Sequence, residues 1–110
     1  MEAAFSALSD PTRRRIVELL GAGEQSAGVL VGNFAISAPA VSQHLKVLRD
    51  AGLVRVRIDA QRRIYSLDPD GLAAFDAWLA RIRPFWADRL GRLEQEIVRE
   101  KEKQDGKAGS

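Results

Sequence analysis

"SAPAVSQHLKVLRDAGLVRVR", running from Ser37 to Arg57, is the stretch that decides the fold. Its first half has the logic of a helix. Ser37 is a good N-cap, because its hydroxyl can accept from an amide of the first turn, and Pro39 is tolerated in that turn. Val41, Leu45 and Leu48 recur at intervals of four and three, which places them on one buried helix face. Ser42, Gln43 and Lys46 then point the other way, with Ala38 and Pro39 on the same outer edge. Gly52 ends the helix. From Val54 the period shortens to two. Val54, Val56 and Ile58 alternate with Arg55 and Arg57, the pattern of a half-buried strand. "DAQR" turns the chain and "RIYSL" returns as a second strand. The turn lacks the Asn-Gly or Asp-Gly of a tight hairpin, so its geometry stays open.

Upstream, Glu2 to Leu8 is Ala-rich and helical in propensity, with Phe5 and Leu8 on one side. In "SDPTRRRIVELLGAG", Asp10 is an N-cap and Pro11 sits at the first helical position. Ile16, Leu19 and Leu20 form the apolar stripe, and Gly21 and Gly23 close the helix. Arg13, Arg14 and Arg15 oppose the dipole at its start, so at least one is expected to pair with Asp10 or Glu18. Ser26 can cap a third, short helix carrying Leu30 and Phe34, weakened by Gly28 and Gly32. Downstream, Asp68 to about Lys103 reads as one long helix or two stacked pieces. Leu72, Phe75, Leu79, Ile82, Trp86, Leu90, Leu93 and Ile97 follow one another by three or four residues, a near-heptad stripe that Pro84 should kink.

The chain of 110 residues is long enough for one core. Residues 1–103 are expected to form one domain, the last helix of which covers about 68–103, with a flexible charged tail over 104–110. There is no long apolar run and no basic-then-apolar leader, which points to a cytoplasmic protein without a membrane partner. Without cysteine there are no disulfides and no thiolate metal sites. The net charge is +2, but its placement is uneven. Between His44 and Tyr65, Lys46, Arg49, Arg55, Arg57, Arg62 and Arg63 face only Asp50 and Asp59, which suggests a polyanionic partner there.

Helices followed by a basic two-stranded ribbon and a long last helix make a mainly α fold with a β-hairpin wing, a winged helix-turn-helix. Small residues on the outer face of the fourth helix let its backbone enter a DNA major groove, where Gln43 can offer a base edge both a donor and an acceptor. The ribbon beside it can neutralise phosphates. "DPTRRRIVELL", "SAPAVSQHLKVLRDAGLV" and "RRIYSL", in this order, resemble the ArsR/SmtB family of bacterial winged-helix repressors over roughly Phe5 to Leu67. The resemblance implies a homodimer held by the first and last helices, two recognition helices reading an inverted repeat in double-stranded DNA, and release by a signal, commonly a metal ion. Family metal positions on the third helix fall here on Ser26 and Gly28. Those on the last helix fall near Pro69, Gly71, Ile82 and Phe85. None of the last four can hold a metal through its side chain, so the chain resembles members without the sensor sites, and no cofactor is expected.

The expected DNA-binding set is Ser37, Ala38, Pro39, Ser42, Gln43, His44, Lys46, Arg57, Arg62 and Arg63. His44 sits at the edge of the buried stripe, where a packed or backbone-bonded role competes with a DNA contact. The expected dimerisation set is Phe5, Leu8, Phe75, Leu79, Ile82, Trp86, Leu90 and Leu93. Trp78, Phe85 and Trp86 could line a ligand pocket, although an aromatic stripe at helical spacing more often serves a core or an interface. Catalysis has little footing, with one histidine, no cysteine and no Gly-rich phosphate loop. Two other functions stay open: a winged-helix protein-interaction module, and a metal-responsive repressor using carboxylates such as Asp68, Asp70 and Asp76. The sequence does not name a small-molecule effector.

Overall fold

The computed structural model describes residues 1–108, with side chains through Lys103. The tail expected over 104–110 therefore lies outside the described side chains. The elements are α1 (Glu2–Leu8), α2 (Pro11–Gly21), β1 (Gln25–Ser26), α3 (Ala27–Gly32), α4 (Ala38–Asp50), β2 (Val54–Asp59), β3 (Arg62–Leu67) and α5 (Pro69–Ala108). Each expected N-cap closes. The Asp10 carboxylate accepts from the Arg13 amide at 3.0 Å, and the Ser26 and Ser37 hydroxyls accept from Val29 and Ala40 at 3.3 Å. Asp68 accepts from the Asp70 amide at 3.0 Å, so one of the suspected metal carboxylates caps the start of α5.

The chain divides into two units, Met1–Asp76 and the portion from Ala77 onward. The first holds the core. Ile16 and Leu20 of α2, Leu30 of α3, Val41, Leu45 and Leu48 of α4, and Leu53, Val54 and Tyr65 beside them are buried together. Ala4 and Ala7 join from α1, and Leu8, Leu72 and Phe75 pack partly buried against the cluster. Fully burying a Val, Leu or Ile side chain is worth about 1.5–3 kcal/mol. The three α4 residues therefore fix which face of that helix turns outward.

The sheet has three strands in the order β1-β3-β2, all antiparallel, rather than the expected two. Gln25 pairs with Tyr65 and Ser26 with Ile64. Two polar residues carry no period-two signal, so β1 exists only because the end of α2 delivers the chain to the edge of β3. The β2–β3 turn has two residues, Ala60 and Gln61, and Ala60 adopts the left-handed φ of 57° usually left to glycine. Gly52, with φ 78°, ends α4. The backbone of α5 approaches there so closely that a Cβ on Gly71 would overlap the Gly52 carbonyl oxygen. The second unit is the remainder of α5, and Pro84 lies inside the helix without interrupting it.

Candidate nucleic-acid interface

Ser42, Gln43 and Lys46 are exposed on α4, opposite Val41, Leu45 and Leu48. Ser37, Ala38 and Pro39 are exposed at its start. Pairing in the sheet settles which arginines join them. Facing residues of antiparallel strands share a sheet face, and successive residues alternate. Ile58 faces Arg63 and Val56 faces Tyr65, so Arg63 and Tyr65 lie on one face. Arg57 faces Ile64 and therefore lies on the other.

Ser42, Gln43, Leu45, Lys46 and Arg49 of α4 meet Arg63 and Tyr65 of β3 around an open cleft of about 240 Å³. That is several times the roughly 30 Å³ share of one water, enough for a phosphodiester group and part of its hydration. Tyr65 forms its buried wall.

The charges around this cleft differ from those of Arg13, Arg14, Arg15, Arg57 and Arg62 in the same unit. Arg15 pairs with Glu18 at 3.3 Å, Arg62 with Asp59 at 3.4 Å, and Arg57 with Glu24 at 2.7 Å. Arg13 and Arg14 donate to carbonyl oxygens at the end of α1. The side chains of Lys46, Arg49 and Arg63 have neither an ion pair nor a hydrogen bond among the described residues. Three uncompensated cations from two elements thus share one concavity, a place where field lines concentrate and an anion is attracted.

The Glu24 carboxyl is held below its ordinary range by the hydrogen bond and charge of Arg57, and the Arg57 guanidinium is raised by the same bond. Both side chains are half exposed, so the pair itself is weak. The opposite sheet face, more than the strength of that pair, separates Arg57 from the cleft. Arg62 is drawn towards Asp59 at the hairpin end. His44 turns to the α2 side, with Nδ1 3.3 Å from Arg13 Nη1 and 3.8 Å from Asp10 Oδ2. The packed alternative for His44 thus has specific partners. The Asp10 carboxyl is held low chiefly by the Arg13 amide it caps.

Arg49 and Tyr65 were absent from the expected set. Arg49 was legible, since Ser42, Lys46 and Arg49 follow the i, i+4, i+7 rule. Tyr65 required the strand register.

Residues 8–57 match a family described as a helix-turn-helix domain. The chain is 48% identical over 96 residues to the HTH-type transcriptional regulator Rv2034 of Mycobacterium tuberculosis, a match covering 87% of each protein. It is 38% identical over 79 residues to the transcriptional repressor SdpR of Bacillus subtilis, covering 72% of this chain and 88% of that one. The crystal structure of an ArsR family transcriptional regulator superposes with a TM-score of 0.70 at 29% identity, over 78% of this chain and 94% of the other. The chain belongs to the ArsR family.

This ArsR-family chain is accordingly a DNA-binding transcriptional regulator and not an enzyme. Among the described residues, no helix is long and apolar enough to cross a membrane, and no three His, Cys, Asp or Glu side chains gather as a metal site would need. At Gly71 the approach of the Gly52 carbonyl leaves no room for a Cβ.

The residues expected to dimerise the regulator fall into two groups. Phe5, Leu8 and Phe75 take part in the packing of the first unit, where the Phe5 and Phe75 rings lie 5.6 Å apart. Leu79 and Ile82 are half-buried, while Trp86, Leu90 and Leu93 are exposed along α5.

Proposed function

We propose that this chain is a homodimeric repressor that reads an inverted repeat in duplex DNA. One α4 enters the major groove of each half-site. The observation that carries this reading is the convergence of the unpaired Lys46, Arg49 and Arg63 beside Ser42 and Gln43. Those cations would hold backbone phosphates, while Gln43 faces a base edge. The apolar stripe of α5 joins the two protomers, and the repressor sense follows relatives such as SdpR. The protein works in the cytoplasm and does not respond to metal through the usual family positions. Supporting that last point, the chain has no cysteine and its single histidine is engaged by Arg13 and Asp10.

The test is selection of duplexes from a random library by the full chain, followed by titration of the selected and a scrambled duplex. The selected sites should form an inverted repeat with half-site centres about one helical turn apart. They should bind about a thousandfold more tightly than the scrambled duplex at physiological salt. Equal affinity for both overturns the reading. Repeating the titration with micromolar Zn²⁺, Co²⁺, Ni²⁺ or Cd²⁺, against a chelator and without a histidine tag, should leave affinity unchanged. A tenfold weakening by any ion, about 1.4 kcal/mol of coupling, restores a metal-responsive mechanism.

A further inference from the structure

His44 is the chain's single histidine, and the cleft does not use it. It lies on the α2-facing flank of α4, whereas Ser42, Leu45 and Arg49 turn to β3. Its Nδ1 meets the guanidinium of Arg13, whose other two nitrogens also donate: Nε to the Ala7 carbonyl at 2.6 Å and Nη2 to the Ser6 carbonyl at 3.3 Å. Arg13 therefore joins α1, α2 and α4. A guanidinium can only donate, so the contact at 3.3 Å requires Nδ1 to present a lone pair, as in the neutral Nε2–H tautomer.

We propose that His44 is a positioning residue: as a neutral acceptor from Arg13 it sets the rotation at which α4 presents Gln43 and Lys46 to DNA. This rests on the DNA-binding reading above. The apolar stripe chooses the buried face of α4, but hydrophobic burial is non-directional and leaves the helix some freedom to roll. A side-chain tip roughly 6 Å from the helix axis moves about 1 Å for every ten degrees of roll, comparable with the tolerance of a bidentate contact. A hydrogen bond on one flank restricts that roll.

Protonation removes the tie. A charged imidazole cannot accept from Arg13, and Asp10 Oδ2, 3.8 Å away, becomes its partner instead. Among the described residues, the charged groups recorded against His44 are Arg13 and Asp10. α3 has no titratable side chain, and the one on α1, Glu2, lies at the opposite end of that helix from Ser6 and Ala7. On β2, Arg57 is committed to Glu24, Asp59 to Arg62, and Arg55 shares their sheet face.

The test compares wild type, His44→Ala and His44→Asn on a duplex selected by the wild-type chain and on its scrambled counterpart. The amide oxygen of asparagine can sit where Nδ1 sits. At about pH 8, His44→Ala should bind the selected duplex about tenfold more weakly and the scrambled one within about threefold of wild type, while His44→Asn stays within about threefold on both. Between about pH 8 and about pH 5.5, the wild-type preference for the selected duplex should fall about tenfold, and that of His44→Asn by less than about threefold. Circular dichroism checks folding, and the pH comparison with His44→Asn decides if His44→Ala does not fold. A wild-type profile that matches His44→Asn overturns the proposal. So does acid tightening on both duplexes alike, which marks a direct imidazolium–phosphate contact. Absence of any selected duplex at pH 8 would instead remove the DNA-binding reading itself.

Discussion

Arg57, Arg62 and Arg63 look interchangeable in the sequence, and partners rather than residue type separate them. Glu24, thirty-three residues away in the chain, engages Arg57 on one sheet face, while Arg63 lines the cleft on the other. No local pattern announces that pairing, because β1, which brings Glu24 to the sheet, has no strand signature. Ser42, Gln43 and Lys46 were legible because the period of α4 alone turns them outward. A phosphate contact adds about 0.9 to the slope of log affinity against log salt. Lys46→Ala, Arg49→Ala and Arg63→Ala should each flatten that slope by about one on any duplex, and Arg57→Ala should change it little. Titrations across a salt series check this. An Arg57→Ala slope that drops as far as that of Arg63→Ala would show that the wing meets DNA with both faces.

Elements were legible wherever a cap and a period coincided, as at Asp10, Ser26 and Ser37. Contacts between elements were not. In a helix interior alanine is generally about 1 kcal/mol better than glycine, and Gly71 lies in the first turn of α5. The fold reverses that preference, because its Cβ would overlap the Gly52 carbonyl oxygen, a backbone atom that cannot swing aside. Overpacking of this kind costs about 1–3 kcal/mol, so it outweighs the gain in propensity. Gly71→Ala should therefore lower the midpoint of urea unfolding. Gly28→Ala, inside α3 with open space around it, should raise or hold that midpoint. If both substitutions shift stability alike, helix propensity rather than the approach at Gly52 governs Gly71.

On the scale of the whole molecule, the apolar stripe of α5 exceeds what one chain covers. Trp86 is 48% exposed, Leu90 57%, Leu93 53% and Ile97 64%, following one another by three or four residues along one helix. Arg89 lies 4.9 Å from the Phe85 ring centroid, a cation that shields part of the aromatic surface without burying it. The spacing of this stripe was plain in the sequence, whereas the division of labour along it was not. Leu72 and Phe75 serve the core, and the uncovered residues begin only further along α5. A long apolar row left to water marks an interaction surface, and near-heptad spacing suits a partner helix of the same kind. Leu90→Glu combined with Leu93→Glu should thus convert a dimer to a monomer in sedimentation velocity. The core cluster of the first unit draws on no residue past Phe75, so circular dichroism should still report a folded protein. Affinity for an inverted repeat should fall by about 10²–10⁴, because the second half-site is no longer held at high effective concentration. Binding to a single half-site should change little. A double variant that still sediments as a dimer would move the interface away from Leu90 and Leu93, leaving their row for a different protein partner.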